Sequence, residues 1–139
     1  MTPRTRLDKV VQVRERKEDS ALDALVEART ATALARARLE RAEEAARADS
    51  RARGPAELWQ LDDLARRRAL QLVRTAEQDL QRARQGEEVA REGYTTARQA
   101  REVVGRAQER RRTEIVSEIE KREQRATDEV ATRSYNHSR

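Results

Sequence analysis

The stretch Arg53-Gly54-Pro55-Ala56 decides the fold, because it is the one interruption before the C-terminal tail in an otherwise unbroken helical pattern. Glycine just past a helix end adopts the left-handed conformation at little steric cost. Proline suits the first turn of the next helix, where its missing N–H is no loss. Gly54-Pro55 therefore reads as a turn between two helices that fold back on each other. The fold class is all-α, a long antiparallel two-helix coiled-coil hairpin with the second helix longer than the first. The expected limits are helix 1 over about 5–53, the turn at 53–56, helix 2 over about 55–132 and a frayed tail at 133–139, in a single domain over 1–139.

Outward from the turn, the first helix carries a regular stripe: Leu7, Val11, Arg14, Glu18, Ala21, Leu25, Ala28, Thr32, Ala35, Leu39, Ala42 and Ala46. Spacings of four and three alternate throughout, which is a heptad seam. Leu22, Val26 and Leu34 are expected to widen it on one side. Thr5, with Asp8 three residues on, forms a capping-box-like start. On the second helix the apolar stripe reads Leu61, Ala65, Ala69, Leu72, Ala76, Leu80 and Ala83, then Ala90, Tyr94, Ala97 and Val104. Its first part repeats every eleven residues and its second every seven, which predicts a change of supercoil along the helix. Gly86, Gly93 and Gly105 each weaken this helix, but no proline or Asn-Gly accompanies them, so it is expected to continue through all three.

Composition agrees with this reading. Of 139 residues, 41% are charged and 36% hydrophobic, much of that alanine, with no phenylalanine and one tryptophan. Such a chain lacks the material for a globular core, and the regular stripe argues against disorder. The net charge is +5, from 31 Lys+Arg against 26 Asp+Glu, with the signs interspersed. This describes a solvated helix surface with a mild preference for acidic partners or anionic surfaces, and does not by itself indicate nucleic acid. Cysteine is absent, which excludes disulfides and thiolate metal sites. Met1 is followed by charged residues and no apolar run, so neither a signal peptide nor a membrane span is expected, and a cytoplasmic location follows.

No catalytic constellation can be assembled. His137 is the only histidine and lies in the tail, the carboxylates sit beside arginines on solvated faces, and no glycine-rich phosphate loop follows a strand. The protein is expected to be no enzyme, with no cofactor and no metal site. The runs Arg66-Arg67-Arg68 and Arg110-Arg111-Arg112 could touch phosphates, but consecutive residues on a helix point in different directions. Nucleic-acid binding is thus a minority reading.

Two surfaces are left over for partners. Folding about Gly54 pairs residues whose numbers total about 109. Leu7 then faces Glu102 and Val103, and the chain beyond about Arg106 overhangs by roughly 40 Å. That overhang presents Ile115, Val116 and Ile119, then Ala126 and Val130, in a frame of Arg110, Arg111, Arg112, Glu114, Glu118, Arg122 and Arg125. An apolar stripe of this kind calls for a cover, either a second copy or a partner. Near the turn, Leu58, Trp59, Leu61 and Leu64 form the most hydrophobic patch. Trp59 either plugs the end of the coiled coil or anchors a partner there.

The run Leu7-Asp8-Lys9-Val10-Val11-Gln12-Val13-Arg14-Glu15-Arg16-Lys17-Glu18-Asp19 resembles the opening of the FliJ/YscO-like family, stalk proteins of flagellar and type III secretion export apparatus. The Glu123 to Val130 region, with Arg125 and Asp128-Glu129, is similar to the family's closing pattern. The resemblance implies a non-enzymatic central stalk that links the hexameric export ATPase to the cytoplasmic domain of the export gate. It further implies secretion chaperones as additional partners, and a place in the cytoplasm, peripheral to the inner-membrane apparatus. On that resemblance Arg111, Arg112, Ile115, Val116, Ile119 and Arg122 would face the ATPase ring, and Leu58, Trp59 and Leu61 the gate. A self-associating coiled-coil scaffold is the first alternative, and a small basic nucleic-acid-associated protein the second.

Overall fold

The computed structural model describes residues 2–49 and 59–139. The expected turn at 53–56, the end of helix 1 and Leu58 lie outside the described residues. Two helices account for nearly all of the rest: α1 over Leu7–Asp49 and the longer α2 over Trp59–His137, packed against each other as an antiparallel coiled coil. The chain divides into two compact units, one of residues 1–18 and 97–139, the other of 19–96.

α1 begins where the Thr5–Asp8 pattern predicts. The Thr5 N–H and hydroxyl both donate to the Asp8 carboxylate, at 3.0 and 2.8 Å, while the Asp8 N–H donates to the Thr5 carbonyl at 3.2 Å. Donors that the helix leaves orphaned at its start thereby find acceptors. At the far end, α2 continues to His137, past the expected limit near 132. The Ser138 N–H and hydroxyl donate to the Ser134 carbonyl at 3.2 and 2.9 Å, which satisfies a terminal acceptor and holds the last turn.

In the unit of residues 19–96, Leu25, Thr32 and Ala35 of α1 and Ala69 and Leu80 of α2 are buried. Their seam neighbours Ala21, Ala28, Leu39, Val73, Ala76, Ala83 and Ala90 are half-buried. Thr32 is tolerated in this core because its hydroxyl donates to the Ala28 carbonyl at 3.0 Å, leaving a methyl group for the seam. In the unit of residues 1–18 and 97–139 no described side chain is fully buried, and the seam is more polar. Leu7, Val11, Arg14 and Glu18 of α1 are half-buried, as are Ala97, Arg101, Val104, Gln108, Arg112 and Ile115 of α2. Glu18 and Arg101 form an ion pair across this seam.

All twelve predicted seam positions of α1 are buried or half-buried. Three expectations need correction. Leu22, Val26 and Leu34 do not widen the seam but are 41%, 53% and 52% exposed, because a narrow alanine-rich contact leaves the flanking positions outside. On α2, Leu61, Ala65 and Leu72 are exposed, and the seam runs instead through Ala69, Val73, Ala76, Leu80, Ala83 and Glu87. The seven-residue repeat thus begins at Ala69, with no eleven-residue segment before it. The four-four-three step occurs later, at Val104, Gln108, Arg112 and Ile115, all half-buried.

The third correction concerns register. Glu18 pairs with Arg101, Asp8 with Gln108 and Arg112, and, in the other unit, Arg29 with Glu87. The paired numbers total between 116 and 120 instead of 109, so Leu7 lies near Ala107, Arg110 and Arg111 rather than Val103. Opposite charges meet across the seam at this offset, which favours it over its neighbours. The overhang accordingly starts later than Arg106: Ser117 is still half-buried, and every residue from 118 to 139 is exposed. Its helical part, 118–137, measures about 30 Å at 1.5 Å per residue.

Candidate partner-binding surfaces

In the unit of residues 1–18 and 97–139, the first turn of α1 is fastened to α2 through Asp8. Gln108 donates to the Asp8 Oδ1 at 2.6 Å and Arg112 to the same atom at 3.4 Å. These donors, led by Gln108 and followed by Thr5, hold the Asp8 carboxyl down at about 2. Arg112 is therefore partly engaged within the chain, with its Nε buried and lacking a hydrogen-bond partner. Arg111, one residue before it, points to solvent and donates to Glu114 at 2.9 Å, and that carboxylate raises its proton affinity further.

Of the six residues expected to face a ring, the structure keeps Arg112 and Ile115 half-buried against the start of the chain. Arg111, Val116, Ile119 and Arg122 are exposed, with Val116 at 42% and Ile119 at 47%. Val116, Ile119, Glu123, Ala126 and Val130 follow spacings of three and four along α2, so they form one stripe. Val130 is 66% exposed. This helical stretch offers an apolar line, interrupted by Glu123 and bordered by charge, of the kind by which a helix seats in a groove of another protein.

In the unit of residues 19–96, Trp59, Leu61 and Leu64 are 65%, 62% and 61% exposed in the first turns of α2. Trp59 does not serve as a buried plug. Leu61 and Leu64 share one side of the helix and Trp59 lies on the other, so each side carries an exposed large apolar group of the type that anchors protein interfaces. Asp62 and Asp63 interleave with them, and Asp63 is held by Arg67 at 2.9 Å.

The sequence reading missed the N-terminal leader. Arg4, Thr5, Arg6 and Leu7 border the same cleft as Ala107, Arg110, Arg111 and Ile115. The leader reads as featureless until the register is known, since only the pairing of Asp8 with Gln108 and Arg112 brings it beside that part of α2. Among the described residues, no helix is long and apolar enough to cross a membrane.

Comparison with known proteins agrees with the resemblance of the opening and closing segments. The family model described as "Flagellar FliJ protein" matches residues 3–139. No curated protein and no solved structure matches the chain. A match over nearly the whole length, on two antiparallel helices with the second the longer, places it by family: the chain belongs to the FliJ family of flagellar and type III export apparatus components.

Proposed function

We propose that this protein is a non-enzymatic central stalk of a type III export apparatus, which seats the exposed end of α2 in the hexameric export ATPase and promotes its activity. Family membership supplies the setting, and the exposed stripe that runs from Val116, at the end of the coiled-coil seam, to Ile119 and Val130 beyond it carries the reading. A helix that presents an apolar line in a charged frame gains by insertion into a ring lumen, where the line is covered and the frame meets complementary charges. The exposed Trp59 and Leu61 would then engage the export gate. In this role the protein acts in the cytoplasm beside the inner membrane, with secretion chaperones as further partners.

The test is ATP hydrolysis by the export ATPase of the same organism, with and without this protein. Stimulation with promoted ring assembly is expected. Absence of both stimulation and binding, together with a mass that grows with concentration, would replace the stalk by a self-associating scaffold.

A further inference from the structure

We propose that the cleft between the N-terminal leader and α2 binds an acidic segment of a partner protein, seating one apolar side chain of that segment between Leu7 and Ile115. The inference rests on the reading of this unit as the part that docks the export ATPase, and it names the chemistry of what docks. The cleft has a volume of about 860 Å³. Four guanidinium groups border it, Arg4 and Arg6 from the leader and Arg110 and Arg111 from α2, against a single carboxylate, Glu114. Arg111 already holds that carboxylate at 2.9 Å. Among the described residues, Arg4, Arg6 and Arg110 have neither an ion pair nor a side-chain hydrogen bond.

Elsewhere on α2 some arginines are laced to acids one turn away, as in Arg67 with Asp63, Arg82 with Asp79, Arg91 with Glu87 and Arg98 with Glu102. Others, such as Arg66, Arg68, Arg74 and Arg84, stand unpaired among the described residues on a single helix surface. The cleft differs in gathering its guanidinium groups from two elements around one concavity. Three unpaired guanidinium groups brought together from two separate elements leave a positive field focused into a concavity, which a carboxylate-bearing ligand would neutralise. The cleft also has apolar lining from Leu7, Ala107 and Ile115, with Leu7 and Ile115 half-buried. An acidic chain with an apolar anchor matches both features. A flat anionic membrane fits less well: Arg110 and Arg111 are successive helical residues about 100° apart, so a plane reaches one at a time, whereas a chain lying in the cleft reaches both.

The probe is a labelled peptide of roughly 15 residues, glutamate throughout except for leucine at every fourth position, a spacing that lines one helical face. Binding to the full-length chain is read by fluorescence polarisation. Expected are saturable binding, about tenfold weaker in Arg4→Gln with Arg6→Gln and likewise in Arg110→Gln with Arg111→Gln, and weaker again at high salt. Arg66→Gln with Arg68→Gln, in the other unit, should bind as the parent does. The two cleft pairs lie on different elements, so a folding defect in one leaves the other informative, and circular dichroism checks both. Equal binding by all variants overturns the proposal. So does equal binding of an all-glutamate peptide, which would mark a simple anion site, or arginine-dependent binding of phosphatidylglycerol vesicles without binding of the peptide. Peptide binding without ATPase stimulation would sink the stalk reading and keep the cleft; stimulation without peptide binding would do the reverse.

Discussion

Asp8 joins two jobs in one side chain, closing the first turn of α1 through Thr5 and fastening that turn to α2 through Gln108 and Arg112. Its carboxyl, held at about 2 against an ordinary value of 3.8, binds fewer protons in the folded chain than in the unfolded one. The stability it contributes is therefore complete above about pH 4 and is lost as pH falls toward 2. Thermal melts followed by circular dichroism should lose midpoint over that interval, and Asp8→Asn should flatten this part of the profile while lowering the midpoint at neutral pH. An unchanged profile in the variant would assign the acid sensitivity to other carboxylates. Glu18 and Arg101 act at the same scale: oppositely charged residues at facing seam positions favour one offset of the helices over its neighbours, which purely alanine contacts discriminate poorly.

At the scale of the helix, the contrast between Leu25 and Leu22 measures how narrow the seam is. Leu25 is 3% exposed and Leu22 41% exposed. Leu25→Ala should cost about 2–3 kcal/mol in urea unfolding, and Leu22→Ala less than about 1 kcal/mol. Similar costs would mean that the apolar contact is broader than the seam. Gly86, Gly93 and Gly105 offer the opposite experiment. Each lies within α2, none has a positive φ, and a methyl group added at any of them meets nothing within 4 Å. Replacing each by alanine should stabilise the protein by about 1 kcal/mol, seen as a higher melting temperature.

How much of α2 could be read beforehand follows from the same geometry. Periodicity marks the twelve α1 seam positions, including polar Arg14 and Glu18, because their four-three spacing is unbroken, while Leu22, Val26 and Leu34 make the seam read wider than it is. On α2 the larger Leu72 drew the reading away from Val73, although only position 73 keeps the seven-residue step from Ala69 to Ala76 and Leu80. Glu87, Arg101 and Gln108 carry no apolar signal of a seam position, yet they face Arg29, Glu18 and Asp8. Register was the least legible quantity. It depends on which charges meet across the seam, information that neither helix carries alone.

For the whole molecule, the two candidate surfaces belong to different units, so their functions should separate genetically. Ile119→Glu places a charge in the exposed stripe of α2 and should abolish ATPase association with helicity intact, whereas Trp59→Ala should spare it. Co-sedimentation with the ATPase distinguishes the two. Normal association of Ile119→Glu would move the ring contact elsewhere.

The stretch from Glu118 to His137 is wound yet exposed along its entire length. Helix nucleation, the costly step, has already occurred in the supported part of α2, so these residues are added by propagation alone. A partner meeting them encounters a backbone already shaped, and association does not have to order a coil of about twenty residues at about 1 kcal/mol or more apiece. The same lack of cover leaves their amide hydrogens guarded only by the helix itself. Exchange with deuterated water should run fastest there in the free protein and slow sharply once a partner closes around them.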